Sequence, residues 1–358
     1  MTTVLVTDIS SYKAVVVARF LKQAYPGIVI VGTDHRAVTL KFRTRWVDFV
    51  ELLPPPDKSP TRYVEALVKV ARKFSVDQLI PVNSVEVRGL MEHRHCFGTL
   101  LDYVGGTELY RQLDNKRSFA ELVSDHGLPQ PRLWPDLNAP LPLVVKPMIG
   151  SSSNGVRYVF TEAERQAAIA ELDTAPQDCV IQEYVVGDGV GYSGFFCAGK
   201  PVVCYAHRRV AEYPATGGSS VVREGYPYSD LSELEALVVR LLAVAPWSGF
   251  AMFEFKRRGP GDFVFIECNP RVWGSIHQGL ACGVNFFEPL LGFAPRPLPI
   301  RTVRTRLSPL HLLALAGYAR SGRWDVVSDV LRSFPGTKAD IHPLLDVGGY
   351  IALLARGA

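Results

Sequence analysis

The sequence predicts an α/β protein: an N-terminal parallel-sheet α/β domain, a two-lobed α+β region and a short helical C-terminal tail. Three observations carry that expectation. Short β-branched runs alternate with amphipathic helical stretches over the first third of the chain. The rhythm then changes to longer strands separated by glycine-rich turns. The tail from Pro309 to Ala358 reads as short helices at Leu310–Tyr318, Trp324–Arg332 and Leu344–Leu354.

In the first third, Val4–Thr7, Ile28–Gly32, Val47–Leu53 and Gln78–Val82 are strand-like runs, and Tyr12–Ala24 and Tyr63–Phe74 have helical spacing. Strands that alternate with amphipathic helices build βαβ units, and βαβ units build parallel sheets. The proline-rich stretch Pro54–Pro60 is a stiff surface connection, and Thr61 is placed to help start the next helix. A second unit begins near Asp114-Asn115-Lys116. Its helix runs to His126, and Gly127-Leu128-Pro129 stops it. The strand Leu143–Lys146, the loop Gly150–Gly155, the strand Val156–Phe160 and a helix opened by Thr161 with Glu164 in capping-box spacing follow, then the strand Cys179–Tyr184. Long hairpin-joined strands fill Gly191–Gly292. The expected boundaries are 1–108, 109–188, 189–300 and 301–358.

Composition narrows the function classes. A chain of 358 residues exceeds the roughly 250–300 at which one hydrophobic core stops growing, so several lobes are expected. With 47% hydrophobic and 21% charged residues it is neither disordered nor fibrous. The net charge of +4 is too small for its length to suggest a nucleic-acid or membrane partner. No apolar run approaches the roughly 18 residues of a membrane span, and the acidic N-terminal start does not resemble a signal peptide. Six cysteines without a CxxC pair read as buried thiols, which fits a cytoplasmic protein.

Two glycine motifs look informative and are set aside. Gly189-Val190-Gly191-Tyr192-Ser193-Gly194 has the dinucleotide-binding spacing, but a strand-like run follows it where a helix N-terminus is needed. Gly194 to Lys200 approaches a P-loop, yet Pro201 stands where the magnesium-binding hydroxyl belongs, and Ala198-Gly199-Lys200 reads as a hairpin turn.

The chemistry-bearing signal is the pair of runs Met252–Lys256 and Phe265–Arg271 around the turn Gly259–Asp262. They form an antiparallel hairpin in which side chains alternate between faces. Phe253 and Phe255 take one face with Ile266 and Cys268, and Glu254 takes the other with Glu267 and Asn269. If the hairpin is symmetric about its turn, Glu254 lies opposite Glu267, an unfavourable arrangement unless a cation sits between them. Two carboxylates and an amide oxygen suit Mg²⁺ shared with phosphate oxygens. A solvated strand face explains the same residues taken alone.

Other residues add to this. Lys146 ends a strand just before Gly150-Ser151-Ser152-Ser153-Asn154-Gly155, whose backbone N–H groups and hydroxyls can bind phosphate. Lys116 stands at a helix start, the unfavourable end of the dipole for a cation, which hints at an anionic partner. Gln182-Glu183-Tyr184-Val185 ends a strand whose edge can hydrogen-bond a purine, with Asp188 close behind. Arg271, after Pro270, can stabilise charge on a transferring phosphoryl group. Each of these also has an ordinary surface explanation.

Taken in order, Lys116, the Val144–Pro147 segment, the Gly150–Gly155 loop, the Gln182–Val185 hinge, Glu254 and the Glu267–Arg271 segment resemble the ATP-grasp superfamily, and the whole most resembles carboxylate–amine ligases related to carbamoyl-phosphate synthase. The resemblance covers Leu109 to Gly292 and implies the ATP-grasp fold behind a preceding α/β domain. It implies ATP as co-substrate and Mg²⁺, or Mn²⁺, as the metal. Lys116 and Lys146 would hold the α- and β-phosphates, and Ser151, Ser152 and Ser153 would lie in the loop covering the triphosphate. Gln182, Glu183, Tyr184 and Val185 would meet adenine and Asp188 the ribose. Glu254, Glu267 and Asn269 would hold two metal ions, with Glu267 bridging. Arg271 would stabilise the transferred phosphoryl group, with Arg209 or His207 meeting substrate or the γ-phosphate and Gly217–Gly218 acting as a lid. The implied reaction activates a carboxylate as an acyl phosphate and joins it to an amine. Carboxyphosphate formation and a catalytically silent ATP sensor are the alternatives. The expected partners are small-molecule carboxylate and amine substrates. The oligomeric state stays open, a homodimer being one option.

Overall fold

The computed structural model describes residues 2–150, 153–171, 178–296 and 302–355. The N-terminal region opens with β1 (Thr3–Val6), α1 (Tyr12–Ala24), β2 (Val29–Asp34), α2 (Val38–Lys41), β3 (Phe49–Leu52), α3 (Pro60–Lys73), β4 (Gln78–Ile80) and α4 (Ser84–Glu92). Its sheet has the order β3-β2-β1-β4, and every pairing is parallel. β1 and β4 bury both faces, as strands covered by helices do. Ser11 caps α1 by accepting from the Ala14 N–H at 3.3 Å. Pro60 occupies the first position of α3, one residue before the expected Thr61 start, where its missing N–H costs nothing. Asn83 and Glu86 form a capping box on α4.

A 3₁₀ stretch and α5 (Thr107–Asp114) lead to α6 (Lys116–Asp125), which Asn115 caps by accepting from the Arg117 and Ser118 N–H groups. Then come β5 (Leu133–Trp134), β6 (Leu143–Pro147), β7 (Arg157–Val159), α7 (Glu162–Glu171) and β8 (Cys179–Glu183). They form an antiparallel sheet in the order β5-β8-β6-β7. The Thr161–Glu164 capping box is made reciprocally, Glu164 accepting from Thr161 N–H at 2.9 Å and Thr161 Oγ1 from Glu164 N–H at 3.2 Å.

The third unit holds β9 (Asp188–Cys197), β10 (Lys200–Tyr213), β11 (Ser219–Gly225), α8 (Leu231–Val244), β12 (Gly249–Gly259), β13 (Asp262–Asn269) and α9 (Ile276–Ala281). The tail adds β14 (Arg304–Arg306), α10 (Leu310–Arg320), α11 (Trp324–Ser333), β15 (Lys338–Ala339) and α12 (Val347–Ala355). The large sheet has the order β13-β12-β9-β10-β11-β14-β15. The tail is thus more than helical: β14 and β15 extend the sheet edge, and runs of three and two residues are too short to show a period of two in sequence.

Both glycine motifs lie where their dismissal expects. Gly189–Gly194 runs through β9, and Ala198 and Gly199, both with positive φ, turn β9 into β10. The thiols divide: Cys179, Cys268 and Cys282 are buried, while Cys96 and Cys197 are exposed, against the expectation of uniformly buried cysteines.

Candidate functional site

A cleft of about 1320 Å³, open mouth included, lies between the smaller antiparallel sheet and the large sheet and reaches the N-terminal domain. Its floor is the β12–β13 hairpin. Glu254 is paired directly with Glu267, and Met252 with Asn269. The Asn269 amide donates to Glu267 at 3.1 Å and to Glu254 at 3.4 Å. The face assignment holds for Phe253, Phe255 and Cys268, which enter the core, but not for Ile266. A bulge lies between the Glu254–Glu267 and Phe255–Phe265 pairs, so Phe265 joins the core and Ile266 lines the cleft. The extra residue reverses the parity of everything before it.

Burial pushes the Glu254 carboxyl above its usual range; Arg209 opposes the rise and Glu267 adds to it. Burial acts the same way on Glu267, but Lys116 and Lys146 overcome it and hold that carboxyl below its usual value. Lys146 donates across the cleft from β6 to the Ile266 carbonyl at 3.0 Å. Burial brings its pKa down to about 8, opposed by Glu267. Lys116 donates to the Gly150 carbonyl at 2.9 Å, and its ammonium is 4.0 Å from Glu267.

Arg271 is buried and aimed by three bonds, to Ser84 Oγ at 2.6 Å, the Val272 carbonyl at 2.9 Å and Asn269 Oδ1 at 2.6 Å. Arg209 is bonded to Glu254 and, at 3.0 Å, to Glu212; its neighbouring carboxylates lift its pKa against the effect of burial. Gln182, Tyr184 and Val185 line the far end of the cleft, where the Tyr184 ring meets Tyr158 and Phe160 edge to face. Gly150, Ser153 and Asn154 of the loop also line it, while Ser151 and Ser152 lie outside the described residues.

Three expected residues do not line the cleft. Glu183 alternates with Gln182 and Tyr184 along the strand end and so faces away from them. Asp188 lies on the side of β9 opposite Gly189 and accepts from Tyr228 Oη at 2.5 Å. His207 shares the face of the sheet that carries Glu254 but is buried over its cross-strand partner Gly191, where a Cβ would come within 2.3 Å of its ring. Burial first, and then the Arg209 and Arg223 charges, bring its pKa down to about 3, so its ring is neutral.

The sequence reading missed Tyr12, Lys13, Glu212 and Tyr158, all of which line the cleft. Glu212 is three residues from Arg209 and would face the other way on a regular strand. Bulges around Ala211 turn both inward. Lys13 carried a signal of the kind that marked Lys116, a cation in the first turn of a helix.

Among the described residues no three His, Cys, Asp or Glu side chains converge into a self-contained metal site. Two opposed carboxylates and an amide are a partial donor set. That fits an oxygen-seeking divalent ion completing its shell from phosphate and water.

No family model matches the sequence, and no curated protein matches it. Solved structures do. An L-amino acid ligase from Bacillus licheniformis is 14% identical with a TM-score of 0.66, over 86% of this chain and 80% of that one. The biotin carboxylase domain of 2-oxoglutarate carboxylase from Hydrogenobacter thermophilus, crystallised with MgADP and bicarbonate, is 18% identical with a TM-score of 0.63, over 84% and 72%. N5-carboxyaminoimidazole ribonucleotide synthetase from Thermotoga maritima is 13% identical with a TM-score of 0.61, over 85% and 80%. At such identities the likeness is one of fold. Together with the element order and the paired sheets around the cleft, it identifies this chain as having the ATP-grasp fold.

Proposed function

We propose that the protein is an ATP-dependent carboxylate–amine ligase acting in the cytosol on small molecules. The observation that carries this reading is the direct pairing of Glu254 with Glu267 on a cleft floor that Lys116, Lys146 and Arg271 also face. Like charges at that spacing call for cations between them, and lysines beside them suit phosphate oxygens.

In this reading Glu254, Glu267 and Asn269 hold Mg²⁺, which supplies charge neutralisation for the triphosphate. Glu254 must then release Arg209, which becomes available to the γ-phosphate or substrate. Lys116 and Lys146 hold the inner phosphates, with Ser153 and the neighbouring loop above them. The hinge at Gln182, Tyr184 and Val185 receives adenine. A carboxylate oxygen attacks the γ-phosphorus and the bond to the ADP oxygen breaks. The amine nitrogen then attacks the acyl carbon, inorganic phosphate leaves with the C–O electrons, and the nitrogen loses its proton. Every protein group named acts by position and charge. Glu183, Asp188 and His207 are given no part.

The test is ADP release from MgATP in the presence of L-amino acids, small carboxylates, amines and bicarbonate, singly and in pairs. Stimulation by an acid, with a coupled product when an amine is added, is the expected result. Stimulation by bicarbonate alone would move the reading to carboxyphosphate chemistry. Tight MgATP binding with no stimulation by any acid would overturn the enzyme reading in favour of a sensor. Glu267→Ala should abolish turnover with the fold retained.

A further inference from the structure

The three bonds that hold Arg271 come from different parts of the fold. Nη1 donates to the Val272 carbonyl and Nη2 to Asn269 Oδ1. Both partners lie within two residues of Arg271, so they move with it and fix only the shape of the turn after β13. Nε donates to Ser84 Oγ at 2.6 Å, from 187 residues away in the chain. Of the three bonds, this one alone ties the guanidinium to the N-terminal region. The acceptors are a hydroxyl, a carbonyl and an amide oxygen, all neutral, so they orient the guanidinium without cancelling its charge.

Ser84 is itself held in place. It opens α4 and is 5% exposed. The Asn83–Glu86 capping box closes the first turn around it, with Glu86 accepting from the Asn83 N–H at 3.3 Å. Thr7, directly after β1, donates its hydroxyl to Glu86 and accepts from the Val82 N–H at 3.1 Å. The chain is therefore pinned to the end of β1 on both sides of Ser84. Arg271 lines the cleft, and Ser84 is not among the residues that do, so the hydroxyl acts on the cleft only through the guanidinium. On the other side, the Asn269 amide donates to Glu267 at 3.1 Å and to Glu254 at 3.4 Å. A continuous chain of hydrogen bonds thus runs from β1 through Ser84, Arg271 and Asn269 to the acid pair.

We propose that Ser84 is a positioning residue: its hydroxyl sets the direction in which Arg271 presents its charge to the cleft. Phosphoryl transfer then depends on how the N-terminal region is seated. The bond stands on its own geometry; only the task of Arg271 rests on the ligase reading. A guanidinium aimed in advance costs no reorganisation when charge develops on the transferring group. Loss of that aim slows transfer and leaves nucleotide binding by the lysines and the hinge as it was.

The experiment has two readouts on the full-length protein. The first is hydrogen exchange of the Arg271 Nε–H, followed by NMR in protein labelled with ¹⁵N-arginine and assigned by its absence in Arg271→Lys. Ser84→Ala should speed that exchange about tenfold or more, and Ser84→Thr, which keeps the hydroxyl, should restore the protection. The second is steady-state ADP release with the acid that stimulates the wild type. Ser84→Ala should lower kcat about 10- to 100-fold, the value of one hydrogen bond to a charged group, with KM for ATP within about twofold. Ser84→Thr should recover most of the loss. A merely structural serine would lower stability and leave kcat per folded molecule unchanged. Unchanged exchange in S84A, an unchanged kcat, a KM raised at constant kcat, or S84T as impaired as S84A would each overturn the proposal. The two readings fail separately. If no acid releases ADP from the wild type, the ligase reading falls, and the exchange rate alone decides whether Ser84 holds Arg271. If ADP is released and S84A releases it at the wild-type rate, Ser84 loses its role and the ligase stands.

Discussion

Two clusters of buried charge in this molecule are built on opposite plans. Around Asp340 everything is matched. Arg223 donates twice to its carboxylate, at 2.9 and 2.7 Å, His277 Nδ1–H donates at 2.9 Å, and Arg19 donates to its carbonyl at 2.8 Å. Asp340 is fully buried and is not among the residues that line the cleft. Around Glu254 and Glu267 the pairing is partial: Arg209 bonds Glu254, and the Lys116 ammonium stays 4.0 Å from Glu267. Two carboxylates oppose each other with one amide between them, and both face open space. The first cluster ties the tail to β11, α9 and α1. The second has an open side on the cleft. Burial alone therefore does not separate the two clusters; a like-charge pair facing open space does.

The comparison is broken most directly by swapping which property each cluster controls. Asp340→Asn leaves the buried Arg223 without its full counter-charge and should cost about 3–5 kcal/mol of stability, read as the urea midpoint, with ADP release per folded molecule unchanged. Glu267→Gln should do the reverse. It removes a carboxylate that Glu254 repels and that Lys116 and Lys146 attract, two effects that oppose each other, so stability should stay within about 1 kcal/mol, while ADP release falls about 10²–10³-fold. If Asp340→Asn lowers turnover without lowering stability, or Glu267→Gln unfolds the chain, the distinction between the two clusters fails.

A smaller effect sharpens it by pH. Burial lowers the pKa of His277 from its ordinary 6.5, so the folded ring stays neutral where the unfolded one takes a proton. Stability should therefore fall as pH drops below about 6.5, by at most about 1.4 kcal/mol per unit for one such group. His207, with a pKa near 3, adds a loss of the same sign over the same range. The Asp340 carboxyl, held below 3.8 by Arg223 and His277 against burial, contributes stability above that value and loses it only at lower pH. His277→Asn should reduce the slope of urea stability between pH 6.5 and 4.5 and leave His207 to supply what remains. An unchanged slope would show that His277 is not held neutral.

How much of this was legible in the sequence follows from the range of each interaction. The acid pair could be read because Glu254 and Glu267 are close in the chain and alternate predictably about one turn. The bulge at Ile266 could not, because nothing local marks an extra residue between two apolar phenylalanines. Glu183 and Asp188 were misplaced for want of strand parity at a strand end, where pairing with β6 and β12 decides which way each side chain points. His207 was misplaced for a packing reason, since only its cross-strand neighbour Gly191 leaves room to bury an imidazole. Lys13 and Ser84 come from the N-terminal region, so only the three-dimensional fold brings Lys13 to the cleft wall and Ser84 to Arg271. The Asp340 cluster joins residues from four distant segments, and no spacing rule could assemble it.

The smallest expected effect concerns the loop after β10, read from sequence as a lid. Gly217 has φ +131, and a Cβ there would lie 2.2 Å from the Tyr158 hydroxyl. Tyr158 stands on β7 and meets Tyr184, so this contact joins the loop after β10 to the smaller antiparallel sheet. The neighbouring Gly218 carbonyl accepts from Arg209 at 3.3 Å, which links the loop to Glu254. Gly217→Ala adds a side chain that both the backbone conformation and Tyr158 resist, so the loop should sit further from the cleft. Loop closure acts on nucleotide retention before it acts on chemistry. The expected outcome is a KM for ATP raised about 3- to 10-fold, a change of about 0.6–1.4 kcal/mol, with stability altered by less than about 1 kcal/mol because the loop is at the surface. Tyr158→Phe keeps the ring against Tyr184 and removes only the hydroxyl that crowds Gly217. Combined with Gly217→Ala, it should recover part of the lost affinity. Additive losses in the double variant would mean that the glycine and the tyrosine do not act through one contact, and the lid would reduce to an ordinary surface turn.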